Sequence, residues 1–202
     1  MWFINIYMSL WDCVDHTKTD KGTTHSYIDL YDKLLCSKKE SAKHVLEIGI
    51  GDFLPEGQNG GSILMWHNFF PNATIHALDI KPIRSVMPQL RGNPLVKLYT
   101  STDAYDPAFV SATFGNMKFD VLLDDGPHTL ESMKEFIRLY SDKINHDGIL
   151  IIEDVQDFSW FAELEKEVPE GLRQYIQTFD LRYVKERYDD LVFVIDTRTI
   201  AH

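Results

Sequence analysis

Residues 119–128 read FDVLLDDGPH. Phe119, Val121, Leu122 and Leu123 make the apolar run of a buried strand, which ends on two adjacent carboxylates, Asp124 and Asp125, before a Gly126-Pro127 turn delivers His128. Paired acids repel each other and resist desolvation, so this strand end is costly unless a cation, hydrogen-bond donors or water compensates it. What compensates it must be sought in the rest of the chain.

Working outward, short apolar runs alternate with helix-like stretches, a βαβα pattern without internal repeats. The expected strands are HVLEIGI, TIHALDI, LVKLYT, FDVLLDD and GILIIED, closed by LRQYIQTFDLR and DLVFVID. The expected helices are SYIDLYDKLLCSKK with Ser26 as N-cap, SILMWHNFF, a short one around residues 84–90, one near PAFVSATF, LESMKEFIRLYSDKI and FSWFAELEKEV. Near-continuous Val/Ile/Leu runs joined by helices predict a mostly parallel α/β sheet covered on both faces. The last two strands, separated by a short loop, predict an antiparallel hairpin at its edge.

The chain has 202 residues and is 44% hydrophobic, which suits one domain with a sizeable core. We expect residues 1–40 to form an N-terminal helical or lid segment and 41–202 the core, a unit that could also be excised from something longer. A formal charge of -11 argues against a nucleic-acid or anionic-membrane partner. Cys13 and Cys36 have no metal-type spacing and fit a reducing, cytoplasmic compartment. The opening MWFINIYMSLW is too short to span a bilayer and lacks the features of a signal peptide; it is expected to pack on the core as a helix or strand.

Ligands of open α/β sheets bind beyond the carboxyl ends of the strands. Those ends carry Glu47, Asp79, Asp124-Asp125 and Glu153-Asp154, with Asp103 shortly after the third strand. Gly49 and Gly51 in EIGIG allow a tight turn and close backbone approach, and Gly60-Gly61 precede a helix whose free amides favour polar or anionic groups. Asp79 is placed to accept ribose hydroxyls. The dinucleotide fingerprint wants a third glycine where Leu54 stands, so an NAD-type oxidoreductase is the weaker reading.

With TDKGTTHSY, VLEIGIG, GGSILMW, ALDI, FDVLLDDGPH and DGILIIEDV quoted in order, the chain resembles the class I S-adenosylmethionine-dependent methyltransferases. More narrowly, it is similar to the metal-dependent O-methyltransferases of macrolide deoxysugars. The resemblance implies a Rossmann-like seven-stranded fold, with Asp125, Glu153 and Asp154 holding a divalent metal and His128 acting as base. It also implies that Lys21 or His25, on a lid, meets the cofactor carboxylate or the acceptor.

An all-oxygen carboxylate set suits a hard cation, Mg²⁺ or Mn²⁺, which would answer the cost of the paired acids. The cofactor set is then Glu47, Gly49, Gly51, Asp79 and Asp103, the last reaching the adenine amino group. Asp124 faces the cofactor or supports the loop. The expected acceptor is a sugar hydroxyl on a small molecule or glycan. A catechol-type O-methyltransferase and a non-catalytic nucleotide-binding module are the alternatives. Whether the chain works as a homo-oligomer or within a multidomain glycan-modifying enzyme stays open.

Overall fold

A computed structural model describes residues 8–51 and 53–198. Its strands are β1 (His44–Ile48), β2 (Thr74–Asp79), β3 (Val96–Thr100), β4 (Phe119–Asp124), β5 (Ile144–Ile152), β6 (Ile176–Asp180) and β7 (Leu191–Asp196). They form one sheet in the order β3-β2-β1-β4-β5-β7-β6. Pairing is parallel from β3 to β5, while β7 runs antiparallel to both β5 and β6. The mostly parallel sheet with its edge hairpin is as the sequence predicts.

The helices are α1 (Ile28–Leu35), α2 (Gly61–Phe69), α3 (Pro107–Phe114), α4 (Leu130–Tyr140), α5 (Trp160–Glu167) and the single turn α6 (Arg182–Lys185). Side chains alternate across the sheet and both faces are covered, which is why the strands read as unbroken apolar runs. Val45, Val121, Leu123, Ile149 and Ile151 pack with Tyr31 and Leu34 of α1 and Ile63 and Trp66 of α2. Leu46, Ile48, Leu122, Leu150 and Ile152 pack with Val110 of α3, Phe136 of α4 and Leu164 of α5. The same alternation puts Glu47 and Glu153, each two residues past a position on the α1/α2 face, on that face too.

Four local expectations are corrected. Ser26 does not cap α1, which begins at Ile28 behind Tyr27; the Ser26 hydroxyl is buried without a partner among the described residues. The turn before it is set by Asp20, whose carbonyl accepts the Thr23, Thr24 and His25 amides. Residues 84–90 form no helix: a 3-10 turn at Ile83–Ser85 gives way to extended Val86, and Pro88 lacks the amide that a helix would use. β6 is shorter than its sequence run, because a 3-10 turn occupies Glu170–Tyr175. The β6–β7 connection is also longer than expected, spans residues 181–190 and contains α6. Most of the opening apolar stretch, residues 1–7, lies outside the described residues. Leu10, in the next turn, is buried against the core.

Candidate active site

Strand order reverses between β1 and β4: the chain passes outward from β1 to β2 and β3, then returns to the other side of β1. At such a switch point the loops diverge and leave a crevice. The connection after β4 is fastened to the end of β1 by the Asp125 amide, which donates to the Ile48 carbonyl at 2.9 Å. The Glu153 amide donates to the Asp124 carbonyl at 3.3 Å and continues the β4–β5 ladder past the strands. Three acid-bearing strand ends are thereby held side by side.

On the α1/α2 face of this junction the acids meet an ammonium. Lys21, 1% exposed, places Nζ 2.7 Å from Asp125 Oδ2 and 3.4 Å from Glu47 Oε1, and it also donates to Glu153 Oε1. The Tyr31 hydroxyl donates to Glu153 Oε2, and Trp66 Nε1 donates to Glu47 Oε2 at 2.6 Å. Burial alone would depress the Lys21 ammonium, but Asp125, Glu153 and Glu47 together raise it well above its ordinary value, so it stays charged. Burial pushes Glu47 up to about 7 against the opposing pull of Lys21. Glu153 is pushed well up by burial and by Asp125. One ammonium does not match Glu47, Glu153 and the half-buried Asp125 in charge, and burial shifts Glu47 and Glu153 toward their protonated forms.

On the open side stand Asp125, His128 and Asp154. One ligand atom from each lies within 4.8 Å of the others. His128 Nε2 is 3.7 Å from Asp125 Oδ1 and 3.6 Å from Asp154 Oδ2. His128 and Asp154 both adopt left-handed backbone conformations, with φ of 53° and 55°. Non-glycine residues in that region are uncommon, and here both turn a polar side chain into the same crevice. Asp154 reaches in two directions: Oδ1 accepts from the Tyr27 hydroxyl at 2.5 Å, and Oδ2 faces His128. Burial and the Asp125 charge raise its carboxyl.

The sequence-predicted site residues thus divide. Asp125, His128 and Asp154 come together, whereas Glu153 turns inward to Lys21 and Tyr31. Lys21 and His25 do not extend from a lid: both are buried, Lys21 among the acids and His25 with Nδ1 2.7 Å from Asp190 Oδ1 and 3.2 Å from Asp154 Oδ1. The physical reason is charge, since the acid cluster holds the nearest cationic side chain in the interior.

On the β1–β3 side, Gly49 and Gly51 have φ of 94° and 106°, the conformation the EIGIG turn requires. Asp79 accepts the Ile50 amide and the Lys81 amide, both at 2.8 Å, tying the end of β2 to that turn. Asp103 is exposed after β3 and accepts the Tyr105 amide at 2.9 Å. Asp124 is buried, accepts the Tyr105 hydroxyl at 2.5 Å, and is pushed by burial up to about 7. Gly61 opens α2 beneath the N-terminal segment: a Cβ there would lie 2.0 Å from the Lys18 carbonyl oxygen.

From the sequence Tyr27 and Trp66 read as packing residues and Tyr31 and Tyr105 drew no role, yet all four supply hydroxyl or indole donors to the acids. A signal existed in α1, where Tyr27 and Tyr31 are spaced i, i+4 and so share a helix face. Asp189 and Asp190, buried beside His25, carried no recognisable motif.

The sheet order, the switch-point crevice and the acid-ended strands define the fold of the class I S-adenosylmethionine-dependent methyltransferases. A mycinamycin-pathway methyltransferase, MycE, solved with Mg, SAH and mycinamycin VI, superposes with a TM-score of 0.68 at 21% identity, covering 91% of this chain and 53% of that one. The homologues in sequence are sugar O-methyltransferases. L-olivosyl-oleandolide 3-O-methyltransferase of Streptomyces antibioticus is 31% identical over 150 residues, and demethylmacrocin O-methyltransferase of Streptomyces fradiae 30% over 142. These matches cover 71% and 69% of this chain but 36% and 34% of the relatives, so the chain spans about a third of the length of the curated proteins it matches. No protein-family model matches the chain. Among the described residues, no helix is long and apolar enough to cross a membrane.

Proposed function

We propose that this chain transfers a methyl group from S-adenosylmethionine to a sugar hydroxyl with the help of a divalent cation. The observation that carries the reading is the convergence of Asp125, His128 and Asp154 at the ends of β4 and β5, on a methyltransferase fold whose sequence relatives methylate deoxysugars. The donor chemistry fits a hard cation such as Mg²⁺ or Mn²⁺: the oxygens of Asp125 and Asp154 face one crevice, and Glu153 lies directly behind them.

When bound, such a cation supplies Lewis acidity toward an acceptor hydroxyl. The chain's own residues do the rest. Asp125 and Asp154 would hold the cation, with Glu153 directly behind them on Lys21. His128, between the two acids, takes the proton from the acceptor oxygen as the methyl group arrives. Asp79 accepts the ribose hydroxyls, Asp103 the adenine amino group, and the Gly49–Gly51 turn lets the backbone approach the methionine portion. Glu47 and Asp124 shape that side from behind, through Trp66 and Tyr105. The acceptor class is a deoxysugar or glycan hydroxyl.

The test is incubation with labelled S-adenosylmethionine, Mg²⁺ and a panel of deoxysugar glycosides. Methyl transfer to a glycoside that is lost in excess chelator is the expected result. Transfer only to vicinal aromatic diols would move the reading to a catechol-type enzyme, and cofactor binding without any transfer would favour a non-catalytic module.

A further inference from the structure

Behind the crevice, on the far side of Asp154, lies a second group of ligating side chains. His25, Asp189 and Asp190 bring one ligand atom each within 4.8 Å of the others, and the three residues are 6%, 7% and 0% exposed. They come from two places, the turn before α1 and the end of the β6–β7 connection. Part of their bonding is internal: His25 Nδ1 pairs with Asp190 Oδ1, and Arg187 Nη2 meets Asp189 Oδ2 at 2.7 Å.

Two carboxylate oxygens remain. Asp190 Oδ2 and Asp189 Oδ1 are fully buried and have no hydrogen-bond partner among the described residues. A buried carboxylate oxygen without a partner bears its full desolvation cost, and native interiors leave few such groups unexplained. The local charge has the same sign. Asp154, Asp189 and Asp190 face one guanidinium and one imidazole, and the imidazole is already shared between Asp190 and Asp154.

We propose that His25, Asp189 and Asp190 form a second, buried divalent-cation site, separated from the crevice by the side chain of Asp154. A buried set of one imidazole and two carboxylates favours a metal that accepts a nitrogen ligand, Zn²⁺ or, less strongly, Mn²⁺, over Mg²⁺, whereas oxygen ligands alone in the crevice suit Mg²⁺. A cation here would satisfy the two bare oxygens. It would also pin the segment that carries Lys21 to the start of β7, a junction that Lys185 already supports by donating to the Gly22, Thr23 and His25 carbonyls at 2.6, 2.9 and 2.7 Å. The inference is independent of the methyl-transfer reading.

The test is a Mn²⁺ titration of the metal-free protein, with free Mn²⁺ followed by its electron paramagnetic resonance signal. Wild type should take up two Mn²⁺ per chain, of which excess Mg²⁺ displaces one. Asp190→Asn and Asp189→Asn should each bind one, and that one should be displaced by Mg²⁺. Asp125→Asn should also bind one, and that one should resist Mg²⁺. The affinity lost at the inner site should exceed the roughly 10- to 100-fold that removing a mere supporting partner of a ligand costs. The Mg²⁺ competition on wild type decides the matter even where Asp190→Asn fails to fold. A single Mn²⁺ in wild type that excess Mg²⁺ displaces, or Asp189→Asn titrating like wild type, would show that ordered water satisfies the two oxygens and would overturn the second site. Loss of the displaceable Mn²⁺ alone would count against the crevice and leave the inner site standing.

Discussion

The Cα of Gly49 lies directly against the backbone of Asp125: a Cβ at position 49 would stand 1.9 Å from the Asp125 carbonyl oxygen. The turn that receives the cofactor in our reading and the strand end that offers the first carboxylate are therefore in contact through backbone alone. Neither can shift without the other. Gly49→Ala meets both this clash and a φ of 94°, and backbone cannot swing away as a flexible side chain would. We expect a loss of about 2 to 5 kcal/mol from strain and overpacking combined. S-adenosylmethionine and Mn²⁺ affinity should fall together in calorimetry. Gly171→Ala is the control, since among the described residues a Cβ there meets nothing within 4 Å. Equal thermal stability of the two variants would mean that the contact does not constrain the site.

Lys21 is the counter-charge of the inner acids, and its removal should show it. Lys21→Met leaves Glu47, Glu153 and Asp125 without their ammonium, and breaking a buried ion pair on one side costs about 3 to 5 kcal/mol. The loss should be largest near pH 8. Below about pH 7 Glu47 takes up its proton, and the raised carboxyl of Glu153 acts in the same direction, so the missing ammonium matters less. Mg²⁺ should restore part of the melting temperature at pH 8. A melting temperature unchanged by the substitution, with or without Mg²⁺, would show that Lys21 does not balance the cluster.

How far the sequence reveals this arrangement can be judged from particular residues. Strands β1, β2, β4 and β7 were legible because both their faces are largely buried, and helix α3 lies where the run PAFVSATF was expected, with Asp106 accepting the Ala108 amide ahead of Pro107. The strand ends placed Asp125 and Asp154 at one end of the sheet, while their grouping with His128 was implied only by the family resemblance of FDVLLDDGPH and DGILIIEDV. The roles of Lys21 and His25 were not legible there, because a polar run such as TDKGTTH looks solvated until the acids it bonds are seen to lie 104 to 165 residues further along the chain. Glu153 and Asp154 are adjacent in sequence and alike in type, yet strand alternation and the left-handed turn at Asp154 send one inward and one toward the crevice. Only the geometry separates them.

A pH effect free of the catalytic acids comes from His76 on β2. Its ring is 3% exposed, with Nε2 3.3 Å from His44 Nδ1 and Nδ1 3.2 Å from the Tyr99 hydroxyl. Burial, helped by His44 and Lys97, lowers it to about 4 from an ordinary 6.5. Because the folded value is the depressed one, the stabilisation is complete above pH 6.5 and is lost as pH falls from there toward 4. The total is about 3 kcal/mol, from about 1.4 kcal/mol per pH unit. Glu47 and Asp124, raised by burial to about 7, act oppositely: their contribution is lost as pH rises toward 7. His76→Phe isolates the histidine. The urea stability of the variant relative to wild type should improve steadily from pH 7 to pH 4.5, and a difference independent of pH would refute the assignment.

The last expectation separates chemistry from folding at His128. The residue sits at φ 53°, fixed between Pro127 and Thr129, whose hydroxyl accepts the Ser132 amide at 3.1 Å and caps α4. Glycine adopts that conformation without strain, so His128→Gly relieves about 1 kcal/mol in the folded state and gives back a similar amount through the freer unfolded chain. The melting temperature should stay close to that of wild type. Asp125 and Asp154 remain, so Mn²⁺ binding in the crevice should survive. Methyl transfer should nevertheless fall by roughly 10²- to 10⁴-fold at pH 7, the usual scale for a lost general base, and recover in part at higher pH as the acceptor hydroxyl ionises unaided. Chelator acts differently, removing the cation and leaving the imidazole in place, so it should abolish transfer at every pH. A His128→Gly enzyme with wild-type turnover at pH 7 would remove the imidazole from the mechanism and leave the two carboxylates as the whole of the crevice's chemistry.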